Sequence, residues 1–377
     1  MKNNLMKSSL AFAAVSASGL LAGFSCVPAA SAATTYAFTG ISDTLGGSSS
    51  YAIGINDSGV VVGYSKNASG YPQAFTYSGG TTTDLGTLLG GISSGAYGIN
   101  NSGEVVGFSG TPASIHAFGY TTAGGMVDLG TLGGTGSYFA EGVNISGEVV
   151  GQTIGGTGHA FGYTPAGGMV NLGTLGGSDS VALHINNSGE TVGYSSTSRA
   201  IVNAFSYTAA GGMVNLGMLP GASGSGAFGI NNSGEIVGDV FSYTAGGLNE
   251  AFSYTTAGGM VGLGTLGGTY GSAAAVNDFG VIVGTSKNAA GITNAFIYTG
   301  GMMTDLNSLI ANLPIGFTLT GASAINNLGD IVGTGTNSAG QKEGFLLTPT
   351  TATPEPTSLA LLALGGLGLL VRRRKMV

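Results

Sequence analysis

Proton-transfer and metal chemistry have few candidate residues in this chain. Its 377 residues include three histidines, one cysteine, 17 acids and ten bases. His116 and His159 occupy the same place in a repeated His-Ala-Phe-Gly-Tyr string. Other copies of that string put Gln73, Asn203, Glu250, Asn294 or Glu343 there. General acid–base catalysis needs one titratable group held at one place, so a position this tolerant reads as a polar strand position. His184 stands alone, where glycine is the usual residue, and reads as a packed or exposed histidine.

The carboxylates give no metal cage. A calcium loop draws several oxygen ligands from one short segment. The strings Asn56-Asp57-Ser58-Gly59 and Asn277-Asp278-Phe279-Gly280 offer one carboxylate each and read as β-turns. Asp84, Asp128 and Asp305 recur at one repeat position where Asn171 and Asn215 also stand. That exchange suits a side chain bonding to the main chain in a bend. No nucleophile-elbow, phosphate-loop or dinucleotide pattern appears in its required context. The expectation is therefore no catalytic, cofactor or metal site, and a protein that is not an enzyme.

Any such residue must be positioned by a repeat. The box Asn-x-x-Gly begins at Asn56, Asn100, Asn144, Asn186, Asn231, Asn277 and Asn326, at spacings of 44, 44, 42, 45, 46 and 49. A period of this size signals a propeller or a solenoid. Each unit holds four strand-like runs, here called a, b, c and d. In the third unit these are Gly125 to Leu132, Tyr138 to Asn144, Gly147 to Thr153 and His159 to Thr164. Glycine-rich links of a few residues suit antiparallel neighbours. The nine-residue string Ile99-Asn-Asn-Ser-Gly-Glu-Val-Val-Gly107 is then the b–c hairpin, with positive φ expected at Gly103, Gly147 and Gly234. Composition agrees: 73 glycines, 43% hydrophobic residues and only 7% charged ones suit many short strands joined by tight turns.

The predicted fold is all-β, a seven-bladed propeller of four-stranded antiparallel blades over residues 33–348. A linear β-solenoid is the alternative. The propeller is preferred because the terminal units resemble the middle ones, whereas a solenoid needs distinct caps. Residues 33–353 contain four bases against sixteen acids, a net charge near −12 that argues against nucleic acid. All four bases, Lys66, Arg199, Lys287 and Lys342, fall in c–d connections. In an antiparallel blade those connections share one rim with the a–b links, so the four make a candidate glycan-contact rim.

The two ends read as addresses. Residues 1–32 carry Lys2 and Lys7, an apolar run from Leu10 to Phe24, and the small residues Ala30-Ser31-Ala32. That is a secretory signal peptide cleaved after Ala32. Cys26 leaves with it, so the mature chain has no thiol. Residues 349–356 form a linker ending in Pro354-Glu355-Pro356. Thr357 to Val371 is an uncharged, mostly apolar stretch spanning roughly 22 Å as a helix, read as a transmembrane helix. Residues 372–377 begin with Arg372, Arg373, Arg374 and Lys375, a basic cytoplasmic tail.

Two resemblances follow from these residues. The tail resembles the PEP-CTERM sorting signal of Gram-negative bacteria. This implies export, a transient inner-membrane anchor, and cutting near Pro354-Glu355-Pro356 by an exosortase-type protease. The repeat, with intact His-Ala-Phe-Gly-Tyr at His116 and His159 and Asp-Leu-Gly-Thr-Leu-Gly-Gly at Asp128, resembles the HAF family of extracellular bacterial repeats. The HAF family itself implies little about activity. The expectation is a cell-surface or exopolysaccharide-matrix protein with a structural or binding role, including glycan binding, and the rim of Lys66, Arg199, Lys287 and Lys342 points to anionic exopolysaccharide as a partner. The rival reading is a propeller-based polysaccharide lyase or hydrolase.

Overall fold

The computed structural model describes residues 34–350, apart from 43–44, 112–113, 134–135, 156–157, 245 and 248. The signal-peptide residues with Ala30 and Ala32, and everything from 351 onward, lie outside the described residues. So do Pro354 to Pro356, the apolar stretch Thr357 to Val371, and Arg372 to Lys375.

Seven four-stranded antiparallel sheets form the blades of a β-propeller. The first blade runs Gly46–Ile55, Val61–Asn67, Pro72–Ser78, Thr81–Gly86. In repeat terms that is b, c, d and then the a strand of the following unit. A blade is therefore not one a-b-c-d unit; the cut falls one strand later. The strand left over, Thr35–Ile41, pairs with Lys342–Thr350 and completes the seventh blade beside Ile331–Thr336 and Thr318–Ile325. That last d strand runs two residues past the expected domain boundary, placing Pro349 opposite Tyr36. Sharing one blade between both chain ends covers the edge that the last strand would otherwise leave open and fixes the first strand against it.

Strand b is innermost in every blade and lines the axis. Its hairpin accounts for the nine-residue string. At Asn100, Oδ1 accepts from the main-chain N–H of Ser102 and of Glu104, both at 3.0 Å. Gly103 N–H donates to the Asn100 carbonyl at 3.0 Å, and Gly103 has φ +83°. The corresponding glycines of all seven turns have φ between +73° and +84°. Asn100 Nδ2 donates to the carbonyl of Asn144 in the next blade at 2.9 Å. Every box asparagine repeats this, from Asn56 on Asn100 to Asn326 on Asn56, so seven side chains join the blades in an unbroken ring. All seven are buried, as polar groups with satisfied hydrogen bonds can be.

The remaining letters of the string serve packing. Val105 and Val106 are buried, one on each side of the blade. The last glycine allows strands to touch: a Cβ at Gly107 would sit 1.9 Å from the Gly95 carbonyl oxygen. Between blades, the strand d aromatics Phe75, Phe118, Phe161, Phe205, Phe252, Phe296 and Phe345 are at most 1% exposed. Each is worth roughly 1.5–3 kcal/mol of apolar burial. A buried serine also bridges adjacent blades. Ser94 Oγ accepts from Ala74 N–H at 2.9 Å and donates to Gly86 O at 2.6 Å, and Ser180 and Ser225 do the same. Ser50 does it across the ring closure, between Gly344 N–H and Ile41 O.

Candidate functional site

The topology creates two rims. The c–d turns and a–b links lie on one; the b–c and d–a turns lie on the other. Lys66 and Lys287 end their c strands, Arg199 stands in a c–d turn and Lys342 opens the last d strand. All four therefore lie on the c–d rim, in blades I, IV, VI and VII. Lys66, Arg199 and Lys342 are exposed and Lys287 is half-buried. None makes an ion pair among the described residues; Lys342 Nζ donates to Thr336 Oγ1 at 3.1 Å. Acids share this rim. Asp84, Asp128 and Asp305 close the outer a strands there, and Oδ1 of each accepts a main-chain N–H two residues on, at 2.8–2.9 Å. Asn171 and Asn215 make the same bond, as their exchange with aspartate suggests.

The opposite rim has a different electrostatic character. Asp57 and Asp278 sit in its b–c turns, and Glu104, Glu148, Glu190, Glu235 and Asp330 start its c strands. No lysine or arginine lies there among the described residues. Around its mouth the residue after each box asparagine forms a second ring. Asn327 N–H donates to Asp57 Oδ1 at 2.9 Å, and its Nδ2 reaches Oδ2 of both Asp57 and Asp278, at 3.2 and 3.0 Å. Burial of Asp278 opposes its charge, but main-chain and side-chain bonds from Asn232 and the Asn327 amide outweigh it and hold its carboxyl below the usual range. Ile145 has no side-chain oxygen and interrupts this ring. Both ends of the described chain also lie on this rim, where Thr35 and Thr350 are paired through their hydroxyls at 2.6 Å.

The strand d histidines are tied to the outer strand. His116 Nδ1 stands 2.8 Å from Asp128 Oδ2, and Ser114 Oγ is 3.1 Å from His116 Nε2. The set has the composition of a serine-hydrolase triad, but the histidine–aspartate contact is close without being aligned as a hydrogen bond. The same cross-strand contact recurs as His159 with Asn171 at 2.7 Å, Asn203 with Asn215 at 3.0 Å and Asn294 with Asp305 at 2.6 Å. A contact made equally by asparagine pairs clamps strand d to strand a.

The axis holds what the sequence reading did not find. A cavity of about 510 Å³ runs along the innermost strands. Every b strand has a register shift at Ala-x-Gly or its variant, and the residue x bulges from the ladder; the b strands of blades I, IV, VI and VII are shifted a second time nearer their starts. That residue is Ile53, Tyr97, Glu141, Leu183, Phe228, Ala274 or Ser323. These residues vary beside an alanine that is the same in all seven units. Tyr97, Glu141 and Phe228 line the cavity with Tyr64 and His184. Glu141 Oε1 accepts from Gln152 Nε2 at 2.7 Å, yet burial pushes its carboxyl up to about 7. Burial and then the Glu141 charge raise Tyr97 and Tyr194. His184 is exposed to the channel, and enclosure by the channel walls lowers its pKa. No cluster of three metal-binding side chains occurs among the described residues.

Residues 352–375 match the PEP-CTERM protein-sorting motif, which marks an exported, membrane-anchored precursor processed by exosortase. The match begins two residues after the described chain ends on the b–c rim. No helix among the described residues is long and apolar enough to cross a membrane. No curated protein matches the chain. Among solved structures, a virginiamycin B lyase from Staphylococcus aureus is similar at 12% identity and TM-score 0.54, over 83% of this chain and 99% of that one. TolB from Acinetobacter baumannii is similar at 14% identity and TM-score 0.42, over 55% and 52%. A fucose-specific lectin from Aleuria aurantia follows at 12% identity and TM-score 0.38, over 68% and 95%. These are likenesses of fold.

Proposed function

We propose that this protein is a cell-surface or exopolysaccharide-matrix component of a Gram-negative bacterium, whose propeller binds anionic glycan through the c–d rim. The observation that carries the reading is the segregation of charge: all four bases of the domain occupy one rim, unpaired among the described residues, and the chain ends lie on the other. A precursor held by its tail then presents outward the rim that bears these cations. The acids of that rim engaged in main-chain bonds compete less for these cations than free carboxylates would. Cations on four of seven blades suit weak multivalent contact. The resemblance to HAF repeats supports an extracellular setting.

A polysaccharide array with the full-length protein, run beside a hydrolysis assay, tests this. The reading expects retention on uronate-bearing or sulfated polymers, none on neutral ones, and no product release. An enzymatic reading would rest on Ser114, His116 and Asp128. Product release by the parent and none by Ser114→Ala would replace the binding reading with that one.

A further inference from the structure

We propose that the axial channel is a second binding site, which takes an organic ammonium cation through the b–c mouth and seats it at Glu141. Shape and chemistry agree. The cavity, about 510 Å³, lies within the range of roughly 300–1,000 Å³ typical of small-molecule sites. Its lining combines the carboxylate of Glu141 with the aromatic side chains of Tyr64, Tyr97 and Phe228, and no lysine or arginine lines it among the described residues. Carboxylate plus aromatic surface is the chemistry that recognises alkylammonium groups. A neutral ligand would leave the desolvated Glu141 charge uncompensated.

The approach is electrostatically prepared. Asp57 and Asp278 line the mouth, and five further carboxylates start the strands around it. A cleft of one sign with low-dielectric walls concentrates counter-ions. The decoration is also asymmetric: the seven bulge positions share one backbone place but differ in chemistry, and only blade III carries an acid there. Structural repetition alone has no use for such variation inside a conserved frame.

Binding depends on pH through Glu141. The groups facing it are Gln152, Tyr97 and Tyr194, with His184 on the next strand along the wall. The tyrosines stay neutral between pH 5 and 8, and any proton that His184 gains toward low pH adds positive charge, which disfavours a cation in the same direction as protonation of Glu141.

The test titrates the full-length protein with choline and with its uncharged isostere 3,3-dimethylbutan-1-ol, followed by calorimetry. Choline is expected to bind at least tenfold more tightly than the isostere, and at least tenfold more tightly at pH 8 than at pH 5. Glu141→Gln should lose that preference and the pH dependence while keeping the parent's melting temperature at pH 5. Phe228→Leu, which retains bulk, should weaken choline severalfold. The Lys66, Arg199, Lys287, Lys342→Ser variant should bind choline as the parent does, which separates this site from the rim. Equal affinity for the two probes, no binding of either, or unchanged choline binding by Glu141→Gln would overturn the proposal.

Discussion

The side-chain amide of Asn326 donates to the main-chain carbonyl of Asn56 at 3.1 Å, joining residues 270 positions apart. The bond is one of seven equivalents, yet it alone in that ring spans the non-covalent seam. Six of the asparagine links reinforce neighbours the chain already connects. The seventh helps to hold the circle shut, with the pairing of Thr35–Ile41 on Lys342–Thr350 and the Ser50 bridge.

The ring predicts a sharp isosteric test. Asn56→Asp keeps the oxygen that accepts from Ser58 and Val60 N–H, but turns the donor toward the Asn100 carbonyl into a second acceptor. A buried hydrogen bond becomes an unpaired buried charge, so a loss of about 2–4 kcal/mol is expected. Asn101→Ala, which removes only exposed bonds to Asp57, should cost under about 1 kcal/mol. Urea midpoints of the two variants give the comparison, and equal losses would deny the inner ring its role.

Two glycines of the repeated string should fail for different reasons. Gly103 has open space around a built Cβ but φ +83°, so Gly103→Val should cost on the order of 1–2 kcal/mol from backbone conformation alone. Gly107 has no unusual φ, but a Cβ there overlaps the Gly95 carbonyl. Gly107→Ala should therefore cost about 3 kcal/mol or more. Denaturation of both variants would show whether conformation or contact dominates; a milder Gly107→Ala would refute the close-approach account.

Much of this architecture was legible. The period, the buried strand d phenylalanines and the turn glycines stand in the sequence because each repeats with one physical job. The blade cut was not legible, since repetition fixes the order of strands around a ring but not where one sheet ends. The glycine-rich a–b crossover looks like any hairpin link, and only the pairing of Thr35–Ile41 with the last strand reveals it. Glu141 was missed for a related reason. A metal loop or an acid pair shows as clustered carboxylates, whereas the signal of Glu141 is a single variable residue after the constant alanine of the repeat, Ala140. Its importance comes from the bulge, which turns it to the axis.

Acid–base linkage at Glu141 predicts how stability varies with pH. Burial raises its carboxyl from 4.5 to about 7, and burial likewise raises Asp239 from 3.8 to about 6. A folded-state pKa above the unfolded one means the native state holds the proton more tightly. Stability is then greatest below pH 4 and falls as pH rises toward 7, by up to ~3 kcal/mol for Glu141. Melting of the parent should decline over that interval, and Glu141→Gln should flatten much of the decline. Identical pH profiles for the two would contradict the burial of this carboxyl.

The sorting tail can be tested in the native host. Removing Arg372 to Lys375 should weaken membrane retention and processing, because these charges stop transfer and complete the matched segment. Immunoblots of membrane and medium fractions would show an unprocessed or mislocalised chain. Unchanged maturation would count against the role of the basic cluster.

The central claim is that the propeller meets anionic glycan through its c–d rim, and the most direct measurement compares the parent with the variant carrying Ser at positions 66, 199, 287 and 342. Binding of each to alginate is followed from 20 to 500 mM salt, with melting temperature as the control for folding. The account predicts that the parent binds, that its affinity falls steeply as salt screens the contact, and that the variant melts like the parent but does not bind. Equal alginate binding by parent and variant, or parent binding indifferent to salt, would contradict it.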